Sequence, residues 1–206
     1  MKLILASNNK KKLRELREIL SDMDVELLSQ REAGCDFEVE ETGTTFAENA
    51  YLKAKAVADA TGLAAVADDS GLMVEALNGE PGVHTARYAP GGHDASDKEK
   101  YEYLLSKLVN EEHRAAKFVS SICCIFPDGS IIRTEGECRG EILREPSGEG
   151  GFGYDPVFKP QGYDRSMAEL GTEVKNRISH RANALREFKK KLRELNGTYK
   201  QAESPA

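Results

Sequence analysis

The sequence predicts an α/β protein, a mixed β-sheet flanked by helices. Three observations carry that expectation. Leu63-Ala64-Ala65-Val66-Ala67 is apolar at successive positions, as in a strand buried on both faces of a helix-covered sheet. Lys2–Ala6, apolar from Leu3 on, reads as another buried strand, and it passes through Ser7-Asn8-Asn9 into helical periodicity, which makes a βα unit. Lys117–Phe126 and Ser130–Glu137 flank Pro127-Asp128-Gly129 and read as a hairpin, so at least one strand pair is antiparallel.

Taken in order, Lys10 opens an amphipathic helix with Leu13, Leu16, Ile19 and Leu20 on one face and Asn9 as its N-cap. Asp24–Gln30 is a short strand, and Cys35–Glu41 leads into an acidic turn. Thr45-Phe46-Ala47-Glu48 fits a capping box for a helix that ends at Gly62. After Leu63–Ala67, Asp68-Asp69-Ser70-Gly71 reads as a turn, and Leu72–Leu77 as a returning strand. Asp94–Asn110 is expected to be helical, as are Met167–Leu170 and a last helix from about Ser179 to Leu195. The whole chain reads as one domain, with residues 197–206 a flexible tail.

The 206 residues suffice for a core of their own, and 39% hydrophobic with 31% charged residues is ordinary for a globular protein. A net charge of -6 disfavours nucleic acid and anionic membrane as partners, so a polyanionic ligand would need a local basic patch or a metal. Cys35, Cys123, Cys124 and Cys138 show no C-x-x-C spacing and are expected to be buried, reduced thiols. Leu3–Ala6 is shorter than the roughly 7–15 residues of a signal core. No run approaches the about 20 apolar residues of a membrane span. A cytoplasmic protein is expected.

Four polar stretches stand out. The two carboxylates at the end of Leu63–Ala67 lie where open α/β sheets bind ligands, and Asp68 and Asp69 should point to opposite faces. Lys10, Lys11 and Lys12 crowd a helix N-terminus whose dipole favours anions, an arrangement that fits either a bound anion such as a phosphate or a solvated basic turn. Ser147–Pro156 interleaves glycines with Phe152 and Tyr154, offering close backbone approach and flat aromatic faces as a pocket wall. Lys175, Arg177, Ser179, His180 and Arg181 gather ahead of the last helix. A nucleoside triphosphate with Mg²⁺ accounts for all of these together: cations for phosphates, carboxylates for the metal, aromatic and glycine surface for the base.

Ser7-Asn8-Asn9 with Lys12, Glu41–Phe46 with Glu48-Asn49, Ala67–Gly71, Gly151–Pro156 and Ser179-His180-Arg181 occur in an order that resembles the inosine/xanthosine triphosphate pyrophosphatase family. The resemblance spans nearly the whole chain. It implies an elongated mixed sheet with two lobes around a nucleotide-binding cleft, usually in a homodimer. It also implies hydrolysis of ITP, dITP and XTP to the monophosphate and pyrophosphate, which cleanses the nucleotide pool.

Carried over by position, Asp69 becomes the general base and a metal ligand, with Glu41 the other carboxylate on Mg²⁺. Ser7, Asn8, Asn9, Lys10, Lys11, Lys12, Ser70 and Lys175 would hold phosphates. Phe152, Gly153, Tyr154 and Asp155 would line the nucleoside, and His180 and Arg181 would read the base. One departure is Asn8, where many members have glycine; asparagine tolerates the left-handed conformation, so the turn should keep its shape. A haloacid-dehalogenase-type phosphatase is disfavoured because Ser70 and Gly71 occupy the positions where its second aspartate would fall. The remaining alternative is a non-catalytic nucleotide- or RNA-binding module, which has no evident need for Glu41 and Asp69.

Overall fold

The computed structural model describes residues 1–202, with side chains through residue 195. The last four residues of the expected tail, 203–206, lie outside the described residues. Among the described residues six strands form a mixed sheet in the order β2-β1-β3-β4-β5-β6. They are β1 (Lys2–Leu5), β2 (Glu26–Ser29), β3 (Ala64–Val74), β4 (Ala115–Ile125), β5 (Ile131–Ile142) and β6 (Phe158–Pro160). β1 runs parallel to β2 and β3, whereas β5 and β6 are antiparallel. The helices are α1 (Lys10–Ile19), α2 (Phe46–Thr61), α3 (Asp97–Lys107), α4 (Gly171–Ile178) and α5 (His180–Ala202).

Local chemistry sets the helix ends. The Asn9 side chain accepts from the backbone N–H groups of Lys11 and Lys12, and the Thr45–Glu48 capping box is complete. Gly62 closes α2 in the left-handed region, at φ 66°, where a side chain would be strained. A second capping box, Ser96 with Glu99, starts α3 later than the periodicity alone suggests.

The chain folds as two compact units. The first holds Met1–Asp69, Ser121–Glu135 and α5 from Ala184 onward. In it, Leu3, Leu5, Ala64 and Val66 pack with Leu16 of α1, with Leu20 just after it, and with Leu185, Phe188 and Leu192 of α5. Ile4, Ala65 and Ala67, the alternate residues, pack with Ala50, Ala54 and Val57 of α2. Burial on both strand faces is what the unbroken apolar runs encode. The second unit holds Ser70–Ser120 and Gly136–Asn183. Its core joins Leu72, Val74, Phe118, Cys138, Ile142 and Phe158 to Leu104 of α3 and to Leu108 just after it.

Two expectations are corrected here. Asp68-Asp69-Ser70-Gly71 is no turn: β3 continues through it to Val74, and Glu75–Leu77 is a 3₁₀ turn rather than the end of a returning strand. Turn-forming residue types are tolerated mid-strand because the two aspartates find cations on neighbouring helices. Met167–Leu170 is also not helical; the helix is α4, which follows it. Its start has no side-chain cap and its 8 residues are too few for a clear period. The four cysteines are free and buried, as expected. Burial raises the Cys138 thiol to about 11, so it stays protonated. No described helix is long and apolar enough to cross a membrane.

Candidate active site

In the first unit the alternation of β3 decides the layout. Carrying the pattern past Ala67 turns Asp68 toward α1 and Asp69 toward α2. Asp68 Oδ1 lies 2.8 Å from Lys12 Nζ, and Asp69 Oδ1 lies 2.9 Å from Lys53 Nζ. Lys53 also donates to Glu41 Oε1 at 2.7 Å, so one ammonium holds carboxylates from two distant stretches of chain. The Asn49 side-chain amide donates to Asp69 Oδ2 at 3.3 Å, and its oxygen accepts from Gly43 N at 2.8 Å. That close approach demands glycine: a Cβ at position 43 would sit 2.7 Å from Asn49 Oδ1. Asn49 thereby ties the Glu41-bearing segment to the aspartate.

Two carboxylates share one ammonium here, so the cluster is net negative. Burial is the main force raising the Asp69 pKa, opposed by Lys53 and reinforced by the like charge of Glu41. Burial works against the Lys53 ammonium, yet Asp69 and Glu41 outweigh it and hold its pKa above that of ordinary lysine. Lys53 was not foreseen. Its signal was that Lys53 and Asn49 fall on the buried stripe of α2 beside Phe46, Ala50 and Val57. Among the described residues no group of three or more His, Cys, Asp and Glu forms a metal cage. Paired carboxylates around a cation are nonetheless the hard-oxygen set that Mg²⁺ takes when substrate oxygens and waters complete its shell.

The turn before α1 lies in the same unit. Asn9 N donates to Ser7 Oγ at 3.1 Å, and Asn8 Oδ1 accepts from Arg31 N at 3.0 Å. Asn8 does not adopt positive φ, so the left-handed tolerance of asparagine is not called on. Its side chain instead fastens the turn to the chain just beyond β2. Lys10 and Lys11 are exposed, while Lys12 is half-buried against Asp68.

In the second unit the glycine-rich stretch wraps a buried carboxylate. Asp155 is ion-paired with Lys175 and accepts from Phe152 N at 2.9 Å. A Cβ on Gly151 would lie 2.1 Å from Asp155 Oδ2. Phe152 is exposed, with Lys175 Nζ 3.9 Å from its ring centroid. Tyr154 departs from the expected pocket wall: it is buried in the core, and its hydroxyl donates to Thr85 O at 3.0 Å. Lys175 is not at a helix entrance; it lies in the last turn of α4, the end where a cation suits the dipole. His180 stacks on Phe118 with centroids 5.0 Å apart, and Arg181 Nη2 donates to Ser70 Oγ at 3.4 Å.

Comparison with known proteins matches the chain to one family. The Ham1 family profile covers residues 3–191. The dITP/XTP pyrophosphatase of Aquifex aeolicus is 49% identical over 195 residues, 91% of this chain and 95% of that protein. The one from Streptomyces coelicolor is 46% identical over 95% of this chain and 99% of its own length. The solved structure of the Staphylococcus aureus Ham1 protein superposes with a TM-score of 0.89 at 44% identity, covering 94% of this chain and 99% of that one. On sequence and on fold alike, the chain belongs to the Ham1 family.

Proposed function

We propose that this protein is a nucleoside triphosphate pyrophosphatase that hydrolyses dITP, ITP and XTP to the monophosphate and pyrophosphate. The observation that carries the reading is the meeting of Glu41 and Asp69 on Lys53. Its relatives' shared name, dITP/XTP pyrophosphatase, supports the substrate class.

Glu41 and Asp69 would hold Mg²⁺, which neutralises charge on the triphosphate. Asp69 takes the proton of the attacking water, and its raised pKa suits a base that must bind that proton. Lys53 keeps the two carboxylates together and favours the ionised state of Asp69. In the first unit Ser7, Asn8, Asn9, Lys10, Lys11 and Lys12 receive phosphate oxygens at the N-terminus of α1; in the second, Ser70 and Lys175 carry the phosphate role that the resemblance implies. Phe152 offers its exposed face to the base, with Gly153, Tyr154 and Asp155 shaping the loop that carries it. The N–H groups of Phe152 and Gly153 already donate to carboxylates. Recognition of the 6-oxo group therefore falls to Arg181, beside His180. The buried free thiols support a reducing, cytoplasmic setting, and a homodimer is part of the proposal.

Incubation with Mg²⁺ and a panel of purine triphosphates tests this. Pyrophosphate release from dITP and XTP well above that from ATP is expected. Release of inorganic phosphate, or binding without turnover, would reject it in favour of a phosphatase or a binding module. The Asp69→Asn variant should lose about 10²–10⁴ in turnover while still binding nucleotide. Light scattering of the purified protein at twice the monomer mass would support the dimer.

A further inference from the structure

We propose that Asp97 is a positioning residue: from the start of α3 it fixes the loop that presents the Phe152 ring. The proposal rests on the nucleotide reading of that loop. Asp97 Oδ2 accepts from Gly153 N at 2.6 Å, although the two residues are far apart in sequence. On the other side of the Phe152 Cα, the Phe152 N–H donates to Asp155 Oδ2 at 2.9 Å. Both peptide units flanking this residue are therefore held by carboxylates, one within the loop and one from outside it. With Gly151 and Gly153 both at positive φ, at 81° and 61°, the loop's backbone has little intrinsic preference for one shape. Two charge-assisted hydrogen bonds supply what the glycines do not.

Asp97 also sits in the first turn of α3, where any anion is favoured, so a purely helix-stabilising role has to be separated. The Asp97→Asn variant loses the charge but keeps an oxygen able to accept from Gly153, whereas Asp97→Ala loses both. In Asp97→Ala, hydrogen exchange of the free protein should quicken across residues 148–156. KM for dITP should rise about tenfold, with kcat within about twofold. Asp97→Asn should restore most of the KM, and Asp97→Ala should add little to Phe152→Ala. Unchanged exchange in Asp97→Ala would overturn the proposal. So would equal damage from the Asn and Ala substitutions, which marks a helix effect, or full additivity with Phe152→Ala. If the wild type releases no pyrophosphate yet exchange still quickens, the tether stands and the functional reading falls.

Discussion

Lys53 Nζ lies 2.9 Å from Asp69 Oδ1 and 2.7 Å from Glu41 Oε1, so α2 supplies a cation that bridges these two carboxylates. Replacing Lys53 with Met removes the charge that favours ionised Asp69. Burial and Glu41 both push the Asp69 pKa upward, so it should rise further. A base works only when deprotonated. The acid limb of the pH–rate profile should therefore move to higher pH, by about one unit, when kcat/KM is measured across the range.

Asp68 is the natural control for Asp69. It is buried and ion-paired with Lys12, on the face turned toward α1. Asp68→Asn should cost less than about tenfold in kcat and act mainly on KM, through a loosened Lys12. Steady-state kinetics of the two Asn variants side by side would check it. Equal collapse of kcat in both would remove the distinction.

Arg181 is the expected reader of the 6-oxo group. Adenine presents an amine there, and an unpaired buried donor costs about 1–3 kcal/mol. Arg181→Ala should narrow the preference for ITP over ATP by about tenfold or more, read as a ratio of kcat/KM values. An unchanged ratio would reject the assignment.

The α2 cap gives a prediction in stability. Hydrogen bonds from the Thr44 side chain, then from the Thr44 and Thr45 backbone, hold the Glu48 carboxyl below the 4.5 of an ordinary glutamate. A depressed folded-state pKa contributes stability above the unfolded value, and loses it as pH falls through the folded value. The Tm difference between wild type and Glu48→Gln should therefore be largest near neutrality and shrink toward acid. Thermal melts over a pH series would measure it.

Much of the first unit was legible because its signals are local. Asn9, Thr45, Glu48 and Gly62 act on their own backbone neighbours, and Ile4 and Ala65 announce their burial by the company they keep. The course of β3 was not legible, because Asp68 and Asp69 belong in a strand only once Lys12 and Lys53 arrive from other elements. Lys53 escaped for a related reason: a lysine on an alanine-rich helix reads as solvated unless its place on the buried stripe is counted. Asp97 gave no sign, since its partner is a backbone N–H in a remote loop. The role of Asp155 was half visible. Its motif was plain, but its burial under Gly151 depends on a turn that composition does not specify.

The unbroken pleat of β3 sets a constraint on length rather than identity. Removing or inserting one residue between Ala64 and Ala67 would exchange the surroundings of the two aspartates, sending each toward the other's lysine. Hydrophobic swaps along this segment should therefore be tolerated far better than any change in its residue count.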